Sequence, residues 1–333
     1  MPASMSPFRR RVLIDVGAAF AVTAVAACLT SPVLAADGDK TIAISFPNSS
    51  TIGAVVTSLN QSKKKGTEMG YKVVVDDPGS DLNKQINTLK TWIQAKVPVI
   101  VCVVPQPKVF EAIAKQARDA GIKWITYGET LQNQDATVGY AQYDDGKRLG
   151  ENAGEWVEKN FTAAKPAKVV LLGYEKGSWG QLRGKGIEDG LKSKTAKYTM
   201  VAKQDAINPT EGMTATRTIL QAHSDVNVIL GVEDPATEGA YKAWVAAGRN
   251  KADPKGYIGG MDGTAPALTL IKEGGTVYRA SMAIPLLAVG DAIVTTADAL
   301  LKGQKTGNVI VPLELVTSAP KASEYLLQQA AAK

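Results

Sequence analysis

Short runs of β-branched and aliphatic residues alternate along this chain with stretches whose apolar positions recur every three or four residues. Residues 41–46 predict a first strand and residues 71–76 a second. Between them Ile52, Val55, Val56 and Leu59 fall on one helical face. Leu82, Ile86, Leu89 and Ile93 follow at steps of four, three and four, a second amphipathic helix. Residues 97–104 are apolar on both faces, as a strand covered by helices on each side must be. A helix through Val109, Ile113 and Ala117 ends near Gly121, and a strand is predicted over residues 123–127. This βαβαβαβ order predicts an α/β fold with a parallel, doubly wound sheet.

The pattern then restarts. Strands are predicted at 168–173, 198–202, 226–230 and 256–260, with helices through Ile187 and Leu191, over 216–222 and over 240–247. Two α/β units of similar order therefore stand in tandem, with no low-complexity segment between them, which predicts paired lobes enclosing a cleft. In open parallel sheets ligands sit beyond the carboxyl ends of the strands. The loops 46–52, 127–130, 174–181, 206–209, 232–236 and 261–264 are therefore the candidate ligand-bearing segments.

The first 36 residues change the picture by placing the rest outside the cytoplasm. Arg9, Arg10 and Arg11 precede a mostly apolar stretch over 12–29, and Val33-Leu34-Ala35 has the small-residue spacing a signal peptidase reads. Residues 1–36 are expected to be a signal peptide leading to the periplasm. Asp15 and Thr30-Ser31-Pro32 make the stretch poor material for a membrane span. Val25-Ala26-Ala27-Cys28 also resembles a lipobox, which would lipid-anchor the protein through Cys28, and Arg9-Arg10-Arg11-Val12-Leu13 loosely resembles a twin-arginine signal. Without the leader 297 of the 333 residues remain, above the size at which single cores divide. Basic residues then exceed acidic ones by 35 to 31, no footprint for nucleic acid. Lys63-Lys64-Lys65 is a solvated helix face. Cys102 is the sole cysteine beyond the leader, so no intramolecular disulfide forms; its apolar run makes it a buried strand thiol.

Candidate chemistry points to binding rather than reaction. His223 is the only histidine and sits at a helix end remote from the candidate loops, so no nucleophilic triad is expected, and His/Cys zinc sites are excluded by count. The glycine-rich run 177–186 lacks both the phosphate-loop ending and the dinucleotide spacing. No cofactor and no metal are expected. Glu129, Glu233 and Asp262 each follow a strand, and a carboxylate can accept two vicinal hydroxyls. Gln181 and Asn208 both donate and accept, while Tyr127, Tyr140, Tyr174 and Trp179 offer faces for a ring. Phe46, Ser50 and Thr51 belong to the first loop. Helix capping is the competing role for Asp262 and for Glu233-Asp234-Pro235, and rim packing for Trp179.

From Thr41 to about Val316 the chain resembles the type I periplasmic solute-binding proteins of ABC importers, in particular their ribose-binding group. The segments that carry the resemblance include Thr41-Ile42-Ala43-Ile44, Asp119-Ala120-Gly121-Ile122, Arg183-Gly184-x-Gly186, Ala222-His223-x-Asp225-Val226, Gly260-Met261-Asp262-Gly263-Thr264 and Ala299-Leu300-Leu301-Lys302-Gly303. The resemblance implies two Rossmann-like lobes joined by three crossings, near Tyr140-Ala141, Ala283-Ile284 and residues 311–313. It divides the chain into a first lobe of residues 37–140 plus 284–312 and a second of 141–283 plus 313–333. It further implies a non-catalytic monomer that closes on a sugar or polyol and delivers it to an inner-membrane ABC permease. The same fold would also serve a chemoreceptor or sensor kinase. It forms the core of LacI-type repressors too, but here a leader replaces the DNA-binding headpiece.

The pocket departs from the ribose pattern. Ser49-Ser50-Thr51-Ile52 replaces an Asn-Pro-aromatic-aromatic run, and Gly128-Glu129 replaces an Asp-Arg pair. Gln181 matches a ligand-binding Arg, Glu233 an Asn and Ala283 a Gln, while the structural Arg183 and Asp262 are retained. The excess of acid suits a polyhydroxyl ligand, or alternatively a small cation. Glu129 and Glu233 as a glycosidase pair would need a carboxyl separation of roughly 5–9.5 Å, and the resemblance argues against it.

Overall fold

The strand runs read from the sequence become two six-stranded sheets flanked by helices in a computed structural model of the chain, which describes residues 40–331. The expected leader with Cys28, and the last two residues, lie outside the described residues. The first sheet begins with β1 (Thr41–Ser45), α1 (Gly53–Glu68), β2 (Lys72–Asp76), α2 (Leu82–Gln94), β3 (Val99–Val103), α3 (Pro107–Asp119) and β4 (Lys123–Tyr127). A further strand, β5 (Ala136–Gly139), follows at once, too short to show in the apolar pattern. With β11 (Gly307–Ile310) the order is β2-β1-β3-β4-β5-β11, every pairing parallel.

The second sheet repeats the plan. It contains α4 (Gln142–Asn160), β6 (Ala167–Gly173), α5 (Ser178–Lys194), β7 (Tyr198–Asp205), α6 (Pro209–Ala222) and β8 (Val228–Gly231). It continues through α7 (Asp234–Ala246), β9 (Tyr257–Asp262), α8 (Ala265–Glu273) and β10 (Tyr278–Ala283). After α9 (Leu286–Leu301) and β11, the chain ends with β12 (Glu314–Val316) and α10 (Ala319–Ala330). The order is β7-β6-β8-β9-β10-β12, parallel except for β12 against β10. β7 runs beyond the predicted strand, β8 begins two residues later than read, and α7 begins at Asp234 rather than Ala240.

Each sheet is apolar on both faces because helices cover both. In the first, Ile42, Ile44, Val99 and Val101 pack toward Leu59 and Ile293, while Ala43, Ile100, Cys102 and Trp124 pack toward Leu89 and Phe110. In the second, Val169, Leu171, Val228 and Leu230 meet Leu149, Ile187 and Leu191, while Val170, Leu172, Ile229 and Ile258 meet Leu220 and Trp244. The chain passes between the sheets after β5, after β10 and after β11. In each sheet the strand order reverses beside its first strand, β1 or β6, which is where the following loops part to open a crevice.

Two helix pairs fix the second sheet's loops. Gly146 and Gly150 on α4 face Gly186 and Gly190 on α5 so closely that a Cβ at Gly150 would stand 2.1 Å from the Ile187 carbonyl oxygen. Gly212 of α6 and Gly239 of α7 make a similar seam, with a Cβ at Gly212 placed 2.0 Å from the Ala236 oxygen. These contacts bring backbone onto backbone and hold the first turns of α5 and α7 in register with their neighbours.

Candidate functional site

The first lobe's side of the site is aromatic. Phe46 follows β1, and its ring centroid lies 5.2 Å from that of Tyr127 at the end of β4. Tyr127 in turn meets Tyr140 edge to face at 5.9 Å, and their hydroxyls share a short hydrogen bond. Burial raises both phenols, Tyr127 to about 12, so neither ionises at neutral pH. The loop after β1 is held from below: the Ser50 amide and hydroxyl donate to the Asp77 carboxylate at 2.8 and 2.5 Å. Ser50's hydroxyl, with backbone donors, draws Asp77 down to about 2. Thr51 lies beside Ser50 and its hydroxyl donates to the Asn48 carbonyl at 3.1 Å.

The second lobe's side is charged. Arg183 on α5 is 4 % exposed. Its Nε donates to Gln142 at 2.7 Å, and its Nη1 donates to the Val232 carbonyl and to Asp262, both at 2.8 Å. Burial opposes the guanidinium's charge, but Asp262 and Glu233 more than offset it and raise its pKa. Asp262 ends β9 with φ +104°, a sparsely populated backbone for a residue other than glycine, and its carboxylate lies 2.8 Å from Arg183.

Asp262 does not cap α8, contrary to the competing reading. Its neighbour Asp234, fully buried, instead holds the loop before α8 by accepting from the Gly263 and Thr264 amides at 2.8 and 2.9 Å. Ser281 and Tyr278 also donate to it, at 2.7 and 2.9 Å. Burial, with Asp262's charge, pushes Asp234 up to about 8 against those donors.

Glu233 is the one acid of this group left over. It occupies the N-cap position of α7, yet its side chain makes no cap hydrogen bond. Burial first, then repulsion from Asp262, pushes its carboxyl up to about 8, with Arg183 pulling the other way. Tyr140, at the first crossing, packs against the apolar cores of both sheets, which brings the tyrosine pair to the seam that the second lobe's charged groups border.

The remaining candidates sit nearby in differing roles. Trp179 stacks on Tyr174 with centroids 5.1 Å apart, and the Arg183 guanidinium lies 5.4 Å from its ring. Glu129, from the loop after β4, receives the Ser178 hydroxyl of α5 at 3.4 Å, a contact from one lobe to the other. Gln181 is exposed and donates to the Glu175 carbonyl at 2.6 Å, bracing its own loop. Asn208 caps α6 by accepting from the Glu211 amide at 3.0 Å, while Glu211 accepts from the Ile207 amide in return.

Cavities mark the seam. One of about 760 Å³ is bounded by residues 50–54 of the first lobe and by Thr264, Pro266, Leu326 and Gln329 of the second. Another of about 190 Å³ lies between Glu129, Gly139 and Asn308 on one side and Gln142, Ser178 and Trp179 on the other. Arg183 connects them: its helix lines the smaller, and its guanidinium reaches Asp262, two residues before Thr264 of the larger.

The sequence pattern marked Asp234 only as part of a candidate helix cap and did not mark Gln142. Asp234's only signal was its place between Glu233 and Pro235 at a helix start, and Gln142 lay in a helix that the apolar pattern did not resolve.

Side chains from two sheets converging on one seam are what a clamp requires, and residues 30–305 match the family model described as a periplasmic binding protein domain. The chain belongs to that family. Members of this type are solute-binding proteins. A ribose import binding protein of Haemophilus influenzae is 29% identical over 266 residues, covering 78% of this chain and 85% of that one. A D-apiose import binding protein of Actinobacillus succinogenes is 25% identical, covering 74% and 77%. An ABC transporter solute-binding protein from Bacillus halodurans, solved with bound myo-inositol, superposes with a TM-score of 0.73 at 19% identity, covering 88% and 99%. The fold is therefore the two-lobed type I architecture that the sequence resemblance implied. No described helix is long and apolar enough to cross a membrane.

Proposed function

We propose that this protein is the substrate-binding component of an ABC importer, capturing a sugar or polyol between its lobes and handing it to a membrane permease without transforming it. The observation that carries this reading is that the Tyr127–Tyr140 pair of one lobe and the Arg183–Asp262 pair of the other flank one seam, where Tyr140 packs against both cores and the Ser178 hydroxyl reaches across to Glu129. A ligand in the seam would touch both walls at once only when the lobes close on it, so binding would shift the open–closed balance. The import proteins among its relatives support the same assignment.

In this reading the lobes comprise 37–140 plus 284–312 and 141–283 plus 313–333, and the protein works as a monomer in the periplasm after export by residues 1–36. Ligand contacts would come from Phe46, Ser50, Thr51, Tyr127, Glu129 and Tyr140 on one wall. Trp179, Gln181, Asn208, Glu233 and Asp262 would supply the other. A thermal-shift screen of the mature protein against pentoses, hexoses, inositols and alditols tests it. A cognate ligand at a hundred times its Kd stabilises by about 2.7 kcal/mol, a clear rise in melting temperature. No rise with any member of the four classes would overturn the reading.

A further inference from the structure

Two residues in succession, Asp262 at φ +104° and Gly263 at φ +71°, turn the chain out of β9. Such a backbone persists at a residue other than glycine only where its surroundings over-determine it. Four of the grips come from inside the second lobe and from the second crossing. The Asp262 carboxylate takes Arg183, and its carbonyl accepts from the Ile284 amide at 3.2 Å. The Gly263 amide donates to Asp234, and the Thr264 hydroxyl to Glu238. The fifth comes from the far end of the chain. Gln329, 9 % exposed on α10, donates through Nε2 to the Gly263 carbonyl at 2.7 Å. That helix starts beyond residue 305, where the match to the family model ends.

The seat of α10 does not depend on Gln329. Ala322 and Tyr325 bury it in the core that holds Leu268 and Ile271 of α8, and Lys321 pairs with Glu314 at 2.7 Å. Gln329 is instead aimed at the turn, on the second lobe's wall of the larger cavity. Its amide nitrogen is occupied by the Gly263 carbonyl, so it acts on a ligand through the neighbouring residue. Resting on the solute-binding reading above, we infer that Gln329 is a positioning residue: from the C-terminal helix it holds the Gly263 carbonyl so that Asp262 stays on Arg183 and faces the ligand. Without that donor a buried carbonyl loses its partner, and the turn can regain one only by moving.

The ligand-free protein gives the first test, by nitrogen-15 NMR of its arginine side chains, with the Arg183 signals assigned by their loss in Arg183→Lys. Gln329→Leu should speed solvent exchange of the Arg183 guanidinium protons by about tenfold. Arg279 of the same lobe, which donates to the Gly256 and Asp253 carbonyls, should keep its wild-type exchange. Gln329→Glu should match wild type at pH 5, where its carboxyl can donate, and match Gln329→Leu at pH 8, where it cannot. Unchanged exchange at Arg183 would overturn the inference, and so would equal acceleration at Arg279, the mark of a lobe loosened as a whole. Calorimetric titration with ribose, glucose, myo-inositol and sorbitol, well below the melting temperatures, gives the second. Whichever binds wild type should bind Gln329→Leu about fivefold or more weakly. Equal affinity would overturn the positioning role and leave the solute-binding reading standing. A wild type that takes none of the four would count against both.

Discussion

At the scale of single residues, the site is governed by how few positive charges serve its acids. Arg183 is buried and holds Asp262, so removing it strands a carboxylate and a carbonyl together. Breaking a buried pair in this way typically costs about 3–5 kcal/mol. Arg183→Met should lower the unfolding free energy measured by urea denaturation by about that amount while also abolishing ligand-induced stabilisation. The acids themselves set a pH dependence. Glu233 and Asp234 both stand near 8 in the folded protein, against 4.5 and 3.8 as ordinary values. Between those limits the folded state binds more protons than the unfolded, so stability is full in mild acid and declines as pH rises toward and through 8. The melting temperature of the ligand-free protein should fall between pH 5 and pH 8.5, and Glu233→Gln should flatten that fall.

At the scale of elements, glycine seams do what side chains do elsewhere. Gly150→Ala places a methyl against the Ile187 carbonyl at 2.1 Å, with backbone on both sides and nowhere to yield. Overpacking of this kind costs about 1–3 kcal/mol or more, and moving α4 from α5 would also pull Gln142 from Arg183. Gly53→Ala, at the start of α1 with nothing within 4 Å of the new methyl, should be neutral or stabilising. Chemical denaturation of the two variants checks the contrast.

Periodicity made the core strands and α1 to α3 legible, because sheet burial on both faces leaves continuous apolar runs. It did not reveal β5, with four residues, or α4, whose mean character is polar and whose packing face is glycine rather than leucine. The site was legible as loops and residue types: Glu233 and Asp262 could be named from their places after strands. That Asp262 would hold Arg183 while Asp234 held the α8 loop depends on a positive φ and on β10 side chains 47 residues away, which no local pattern encodes.

At the scale of the whole molecule, the crossings tie the lobes into one mechanical system. Asp145, 1 % exposed at the start of α4, accepts from the Leu313 amide at 3.2 Å, and Arg148 donates to the Leu313 carbonyl at 2.6 Å. Burial pushes Asp145 up to about 6, with Leu313 and Arg148 working against that rise. Together they grip the third passage between lobes from the second lobe's side. Arg148→Ala removes one grip and leaves the ligand walls intact. Small-angle scattering of the ligand-free variant should then show a broader distribution of radii than wild type, with the difference disappearing at saturating ligand.

Cys102, in register with Ser45 at the heart of the first sheet and inaccessible to solvent, turns that coupling into something that can be timed. Burial raises its thiol, so it reacts only when the strands around it part. Every alkylation event therefore records an opening of the first lobe, from a chromophore-free reporter that evolution has already placed there. If ligand slows that clock as much as it raises the melting temperature, the two lobes breathe as one body. If it does not, the first lobe keeps its own time.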